Sequence, residues 1–353
     1  MRALPETTKP SMPRKAVVGF DGYIDEMFRV VLTEGGTNGP TFYQDIPTFA
    51  ARVAAAAGKS ADMELVPTDK KLGGNAPIMA NALARLGVET VCIGAMGYPE
   101  LNPAFAEMAE RCTCISLCDP APTIALEFSD GKVMFANTQP LNHLNWSRIK
   151  EQPGLERLRE LFRTADLAAL VNWSGVPNTD AIWAGILREV LPSLGGSKRI
   201  FFFDLADPTK KSREEIEAVL ELIGSYSAYG RVILGLNENE AWKLHAALDG
   251  RESSLNEVAR RLYQRLQIYA LLIHPIDRCI AATEDGLCVE YGVVVEKPRL
   301  STGGGDNFNA GFCMGQLLGW SIRDSMALGM RVSGFYVGNG YSPMLAQLNE
   351  TKS

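Results

Sequence analysis

Apolar residues recur along the chain in short, mostly continuous runs separated by segments with helical spacing. AVVGF (16–20), ETVCIGAMG (89–97), DLAALVNW (166–173), RIFFFD (199–204), RVILGLN (231–237) and YALLIH (269–274) are rich in β-branched or aromatic residues. Strands covered on both faces read this way. Between them, APIMANALARLG (76–87), NPAFAEMAERC (102–112), TDAIWAGILREVL (179–191), SREEIEAVLELIG (212–224) and SSLNEVARRLYQRL (253–266) carry amphipathic helical patterns. This alternation predicts an α/β fold: a mostly parallel sheet with helices on both sides.

Two segments break the rhythm. DEMFRVVLT (25–33) and TIALEFSDGKVMFANT (123–138) read as lid strands, and Asp130-Gly131 in the second predicts a type I′ hairpin turn. Residues 34–40 (EGGTNGP) form a Gly-rich loop. One body over 16–345 is expected, with a loose N-terminal tail over 1–15 and a C-terminal tail over 346–353.

Composition narrows the classes. The 353 residues are 46% hydrophobic and 22% charged, enough to bury a sizeable core. The net charge of −6, without a dense Lys/Arg stripe, argues against nucleic acid. No apolar run approaches the roughly 20 residues that cross a bilayer, and the N-terminus has no apolar signal core. A cytoplasmic location is the default expectation, with no membrane partner. Cys112, Cys114 and Cys118 lie at even separations, so a regular strand would point all three to one face. They read either as small buried hydrophobes or as a metal or redox site that lacks a nearby fourth ligand.

The chemistry concentrates in LSTGGGDNFNAGFCMGQLLGW, 300–320. Gly303, Gly304 and Gly305 precede a helix expected from about Asp306. Such a turn brings backbone N–H groups to an anion, and the helix N-terminus adds unpaired donors and a positive partial charge. An acidic protein can hold phosphate this way. Asp306, beside that cradle, can accept the proton of an attacking hydroxyl, or can simply cap the helix. GxGxxG would require glycine where Phe308 stands, and no GK[ST] motif is present. A second glycine turn, Gly73-Gly74, is followed by Asn75 and then Pro77 in a first helical turn. Asn75 can donate and accept toward a sugar hydroxyl, or cap its helix. Asn237 and Glu240, three apart after a strand, can hold Mg²⁺ through its waters or form a capping box.

These elements in this order resemble the ribokinase-like (PfkB) carbohydrate kinase family. LSTGGGDNFNAG is similar to its C-terminal signature DTTGAGDxFxxG, GGNAPIMANALARLG to its N-terminal glycine signature, and Asn237/Glu240 to its NxxE motif. The likeness spans GFDGYID (19–25) to about Pro343. It implies a three-layer α/β/α fold with a mostly parallel central sheet and a small β lid. It implies transfer of the γ-phosphoryl of MgATP to a hydroxyl of a sugar or sugar acid. Asp306 would be the base, Gly303–Gly305 the anion hole, and Asn237 and Glu240 the organisers of Mg²⁺. Asp25, with Asp21 as rival, would hold the sugar with Gly74, Asn75 and Asn172. Thr302 and Asn339 would contact the nucleotide. Leu300 stands where the signature has an Asp that helps hold K⁺, which puts monovalent activation in question. IHPIDR (273–278) replaces a T-x-G turn near the nucleotide, and after FFFD the segment LADPTKKSR lacks the DxNxR pattern of some subgroups. A nucleoside kinase of the same fold, or an inactive sugar-binding regulator, are the alternative readings, and lid pairing across a two-fold axis would give a homodimer.

Overall fold

The structure, a computed structural model, describes residues 4–5, 14–36, 39–195, 199–248, 250–251, 254–292, 294–296, 298–300 and 302–350. Most of the expected N-terminal tail, the middle of the 34–40 loop and the chain end lie outside these residues. Where a C-terminal tail was expected, Leu345–Glu350 is a short helix, and Leu348 is buried in the core.

The strands in chain order are β1 (Lys15–Gly19), β2 (Tyr23–Thr33), β3 (Thr41–Phe42), β4 (Leu65–Gly73), β5 (Glu89–Ala95), β6 (Cys112–Cys118), β7 (Ala121–Phe128), β8 (Gly131–Ala136), β9 (Leu167–Leu170), β10 (Ile200–Asp204), β11 (Arg231–Asn237), β12 (Ala270–His274), β13 (Arg278–Thr283) and β14 (Gly286–Tyr291). The large sheet has the order β14-β13-β12-β11-β10-β9-β1-β5-β6. It is parallel from β6 to β12, and β13 and β14 extend it antiparallel.

Strand alternation sorts its side chains into two cores. Val17, Phe201, Phe203, Leu234 and Ile273 face helices Leu155–Thr164, Thr179–Gly185, Arg213–Ser225, Glu238–Ala247 and Leu255–Leu266. Val18, Phe202, Ile233 and Leu272 face helices Asn75–Arg85, Gly304–Leu317 and Ile322–Asn339. Each fully buried large apolar side chain stabilises the fold by about 1.5–3 kcal/mol. The expected three layers are present.

The lid is a separate sheet in the order β3-β2-β7-β8, with β4 also paired to β2. Tyr23 of β2 pairs with Gly73 of β4 and Ala121 of β7, so these three strands leave the main body level with one another. Val30, Tyr43, Phe49 and Leu126 form the lid's own small core. The β2–β7 pairing is parallel, and only β2–β4, β2–β3 and β7–β8 are antiparallel.

Three local expectations are corrected. The β7–β8 loop is Ser129-Asp130, since Phe128 pairs with Gly131. Neither loop residue has positive φ, so the turn is not type I′. Ser129 and Asp130 instead bond to Gln44 and Ile46, and this tertiary contact sets the turn. Cys112 and Cys114 pack on one core but Cys118 on the other, because a register shift opposite Gly94 and Ala95 breaks the alternation. All three thiols are free, and among the described residues no group of three or more His, Cys, Asp or Glu could hold a metal ion. The 102–112 segment contracts to a turn at Pro103–Phe105 and a helix at Ala106–Ala109, because Cys112 already belongs to β6.

Candidate active site

From β1 the sheet grows one way to β5 and β6, and from β9 the other way to β12. Ligands in such sheets bind beyond the C-terminal strand ends at this reversal. Asp21 follows β1 and Asn172 follows β9, and Asn172 Nδ2 donates to Asp21 Oδ2 at 2.6 Å. The same carboxylate accepts from the backbone N–H groups of Asn75 (2.9 Å) and Ala76 (2.7 Å), at the N-terminus of helix Asn75–Arg85. Asp21 is fully buried, and burial pushes its carboxyl up to about 6 against these hydrogen bonds. Gly74 has φ +95°, and a Cβ there would sit 2.8 Å from Asp21 Oδ2. Asn172, at φ 59°, accepts from the Gly175 N–H at 3.1 Å. Asp21, Gly74 and Asn172 thus form one knot that fixes the start of the helix.

Asp25 belongs to the lid. On β2 it is flanked by Lys71 of β4 and Thr123 of β7. Burial raises its carboxyl, opposed by Lys71, the Thr123 hydroxyl and Lys132. The Lys71 amine is buried without a hydrogen-bond partner in the structure, and burial lowers its pKa.

Gly303 has φ +89° and opens helix Gly304–Leu317, two residues earlier than expected. Gly304 and Gly305 therefore lie in the first turn, with Asp306 third. These four residues line a cavity of about 580 Å³ with Asn75, Asp204, Asn237, Glu240 and His274. Asp306 is only 9% exposed. Burial, then the charges of Asp204, Asp21 and Glu240, hold its carboxyl well above the usual range. Asp204, at the end of β10, accepts from Ala206 N–H (2.9 Å) and Asn309 Nδ2 (2.9 Å).

Asn237 and Glu240 form a full capping box. Asn237 Oδ1 accepts from the Glu240 N–H at 2.8 Å, and Glu240 Oε2 accepts from the Asn237 N–H at 2.9 Å. Asn237 Nδ2 also donates to Glu240 Oε1 at 2.6 Å. The cap is compatible with the site, since both residues line the cavity. Glu240 is raised by burial first and then by Asp204.

Two expected nucleotide contacts are not among the cavity-lining residues. Asn339 is exposed and donates back to the Phe335 carbonyl, and Thr302 offers its carbonyl to Tyr336 Oη at 3.1 Å. Lys211 pairs with Glu215 at 3.2 Å, and Lys210 is exposed. The sequence reading missed Asp204, His274 and an apolar wall of Pro275, Ile276, Val294, Val295, Pro298, Met330 and Val337. Asp204 and His274 close continuous apolar strands, and that position at a parallel strand end was the available signal. His274 stacks on Phe308 with centroids 4.7 Å apart. Burial pushes its imidazole down to about 4, and its Nε2 is buried without a partner. Leaving such a group unpaired costs about 1–3 kcal/mol.

A parallel sheet crossed by a β lid, with a glycine-opened helix at the switch point, defines a ribokinase-like (PfkB) carbohydrate kinase, a phosphotransferase with an alcohol acceptor. The chain belongs to the prokaryotic ketohexokinase family, whose model matches residues 1–353. It is 28% identical to a ketohexokinase of Haloferax volcanii over 354 residues, 97% of this chain and 93% of the relative. A 5-dehydro-2-deoxygluconokinase of Clostridium perfringens is 23% identical over 74% of this chain and 76% of its own length. Among solved structures, a probable sugar kinase from Rhizobium etli superposes with a TM-score of 0.68 at 16% identity over 96% of each chain. A nucleoside kinase of Methanocaldococcus jannaschii gives 0.64 at 15% identity, covering 96% of this chain and 97% of its own. These structural likenesses carry the fold alone. Among the described residues no helix is long and apolar enough to cross a membrane.

Proposed function

We propose that this protein transfers the γ-phosphoryl group of MgATP to a primary hydroxyl of a ketohexose, with Asp306 as general base. One observation carries the reading: Gly303–Gly305 and Asp306 share the first turn of a helix that opens into a cavity also lined by Asn237 and Glu240. Backbone N–H groups there stabilise a migrating phosphoryl group without any cationic side chain. Asp306 is desolvated and surrounded by carboxylates, so it is a stronger base than an exposed one. Once the acceptor hydroxyl lies against it, it takes the proton.

The donor set suits a hard cation. Asn237, Glu240 and Asp204 offer oxygen ligands on one wall of the cavity, and Mg²⁺ keeps several of its waters. Bound Mg²⁺ would offset the charge of the nucleotide phosphates and favour ionised carboxylates around it. The apolar wall from Pro275 to Val337 suits the flat face of a nucleobase, and Asp25 on the lid suits sugar hydroxyls. The choice of a ketohexose rests on the Haloferax volcanii relative and the family.

The test is a coupled assay with MgATP against ketohexoses, aldohexoses, sugar acids and nucleosides. The highest kcat/KM is expected with a ketohexose. Turnover concentrated on a nucleoside, or sugar binding without any turnover, would overturn the reading.

A further inference from the structure

We propose that the imidazole of His274 is a side-chain donor to the terminal phosphoryl group, acting beside the backbone amides of Gly303–Gly305. The proposal rests on the phosphate site of the preceding section and adds a residue to it.

His274 is the last residue of β12 and stands in register with Asn237 of β11, at the end of the sheet where the cavity opens. Its ring cannot swing freely, because it stacks on Phe308, which is 2% exposed. It also lies against the glycine turn: a Cβ at Gly305 would come within 3.3 Å of His274 Cε1. Glycine at 305 therefore lets the imidazole edge pack directly beside the first helical turn. Nε2 is buried and bonded to nothing in the structure. Other buried polar atoms also lack a partner, the Lys71 amine among them, but of these residues His274 is the one that lines the cavity, where a ligand can complete it.

Two acids of the same cavity already accept hydrogen bonds from other residues. Glu240 is taken by Asn237, and Asp204 by Ala206 and Asn309. Nε2 reaches no acceptor in the protein, while the amides beside it are suited to an anion. The shared ligand chemistry is a phosphoryl oxygen. Either ring form that carries a proton on Nε2 can donate.

The decisive measurement is ¹⁵N NMR of the imidazoles, with His274 assigned through His274→Gln. The protein is titrated with a non-hydrolysable ATP analogue plus Mg²⁺, and separately with AMP. The analogue is expected to give a protonated Nε2 with a shifted resonance, and AMP no comparable shift. In parallel, His274→Leu is expected to weaken analogue binding and lower kcat, each by roughly 10- to 100-fold. Its affinity for AMP and its sugar KM should stay unchanged, and His274→Gln, which keeps an N–H, should recover part of the loss. An unprotonated Nε2 in the analogue complex would overturn the proposal, as would equal loss of AMP and analogue affinity, or wild-type behaviour of the Leu variant. Should the Leu variant not fold, the wild-type titration and the Gln variant decide alone. Nucleotide binding is read without turnover, so a failure of the kinase reading shows separately, as absent sugar phosphorylation by the wild type.

Discussion

Asn309 Nδ2 donates to Asp204 Oδ2 at 2.9 Å, one helical turn beyond Asp306. The bond ties the helix that carries Asp306 to the end of β10, so Asp306 is held by the sheet rather than by a loop. Asp306→Asn keeps the shape and removes the basicity. It is expected to lower kcat by at least roughly 10²–10⁴. The melting temperature should stay level or rise, because a buried carboxyl is replaced by a neutral group. Near-wild-type turnover in the purified variant would exclude Asp306 as the base.

The glycine turn can be separated into conformation and donor. Gly303 has φ +89°, and a Cβ there would meet Tyr336 Oη at 2.8 Å. Gly303→Ala should therefore cost roughly 1–2 kcal/mol from the left-handed backbone alone. At Gly304 φ is helical and a Cβ would meet only side-chain atoms, Val337 Cγ2 at 3.2 Å and Ser333 Oγ at 3.5 Å. Gly304→Ala should be clearly the milder of the two in chemical denaturation, and equal losses would contradict this account.

Glu240 serves two ends, the helix cap and the cavity wall. Glu240→Gln retains a side-chain acceptor and loses the charge. Stability should change by no more than about 1 kcal/mol, the scale of a helix cap. The Mg²⁺ concentration for half-maximal activity should rise about tenfold, since a tenfold loss corresponds to about 1.4 kcal/mol of cation binding. An unchanged Mg²⁺ titration would remove Glu240 from the cation's surroundings.

Asp21 sets a pH dependence of stability. Its carboxyl rises from 3.8 to about 6 on folding, because burial disfavours the charged form. The fold thus binds this proton more tightly than the unfolded chain does. The protonated form is the stabilised one, and its contribution is fully present below about pH 4 and lost as pH rises through about 6. A shift of this size is worth about 3 kcal/mol. Asp21→Asn should flatten the decline of unfolding free energy between pH 4 and 6, read from urea midpoints, and an identical slope would refute the assignment.

The layered architecture was legible because strands covered on both faces leave unbroken apolar runs, as in IFFFD and ALLIH. The glycine turn and Asp306 were legible because residues without side chains before a helix have few other uses. The lid edge β4 was not, since its middle, Pro67 to Lys70, is exposed and mostly polar and offers no apolar run. Asp21 and Asp25 could not be told apart either. They are four residues apart, and only the positions of helix Asn75–Arg85 and strand β4 give one to a cap and the other to the lid. His274 escaped notice because its lack of a partner is a property of three-dimensional packing.

The level departure of Tyr23, Gly73 and Ala121 from the main body would give a moving lid a common hinge axis. Asp21 lies on the anchored side of that axis, bonded to Asn75 and Asn172, and Asp25 on the swinging side with Lys71 and Thr123. A door turning there would carry Asp25, Lys71 and Thr123 together and leave Asp21 and Asp306 still. On the proposed function, the sugar would be delivered by a travelling carboxyl group to a stationary one, and closure itself would assemble the acceptor's surroundings.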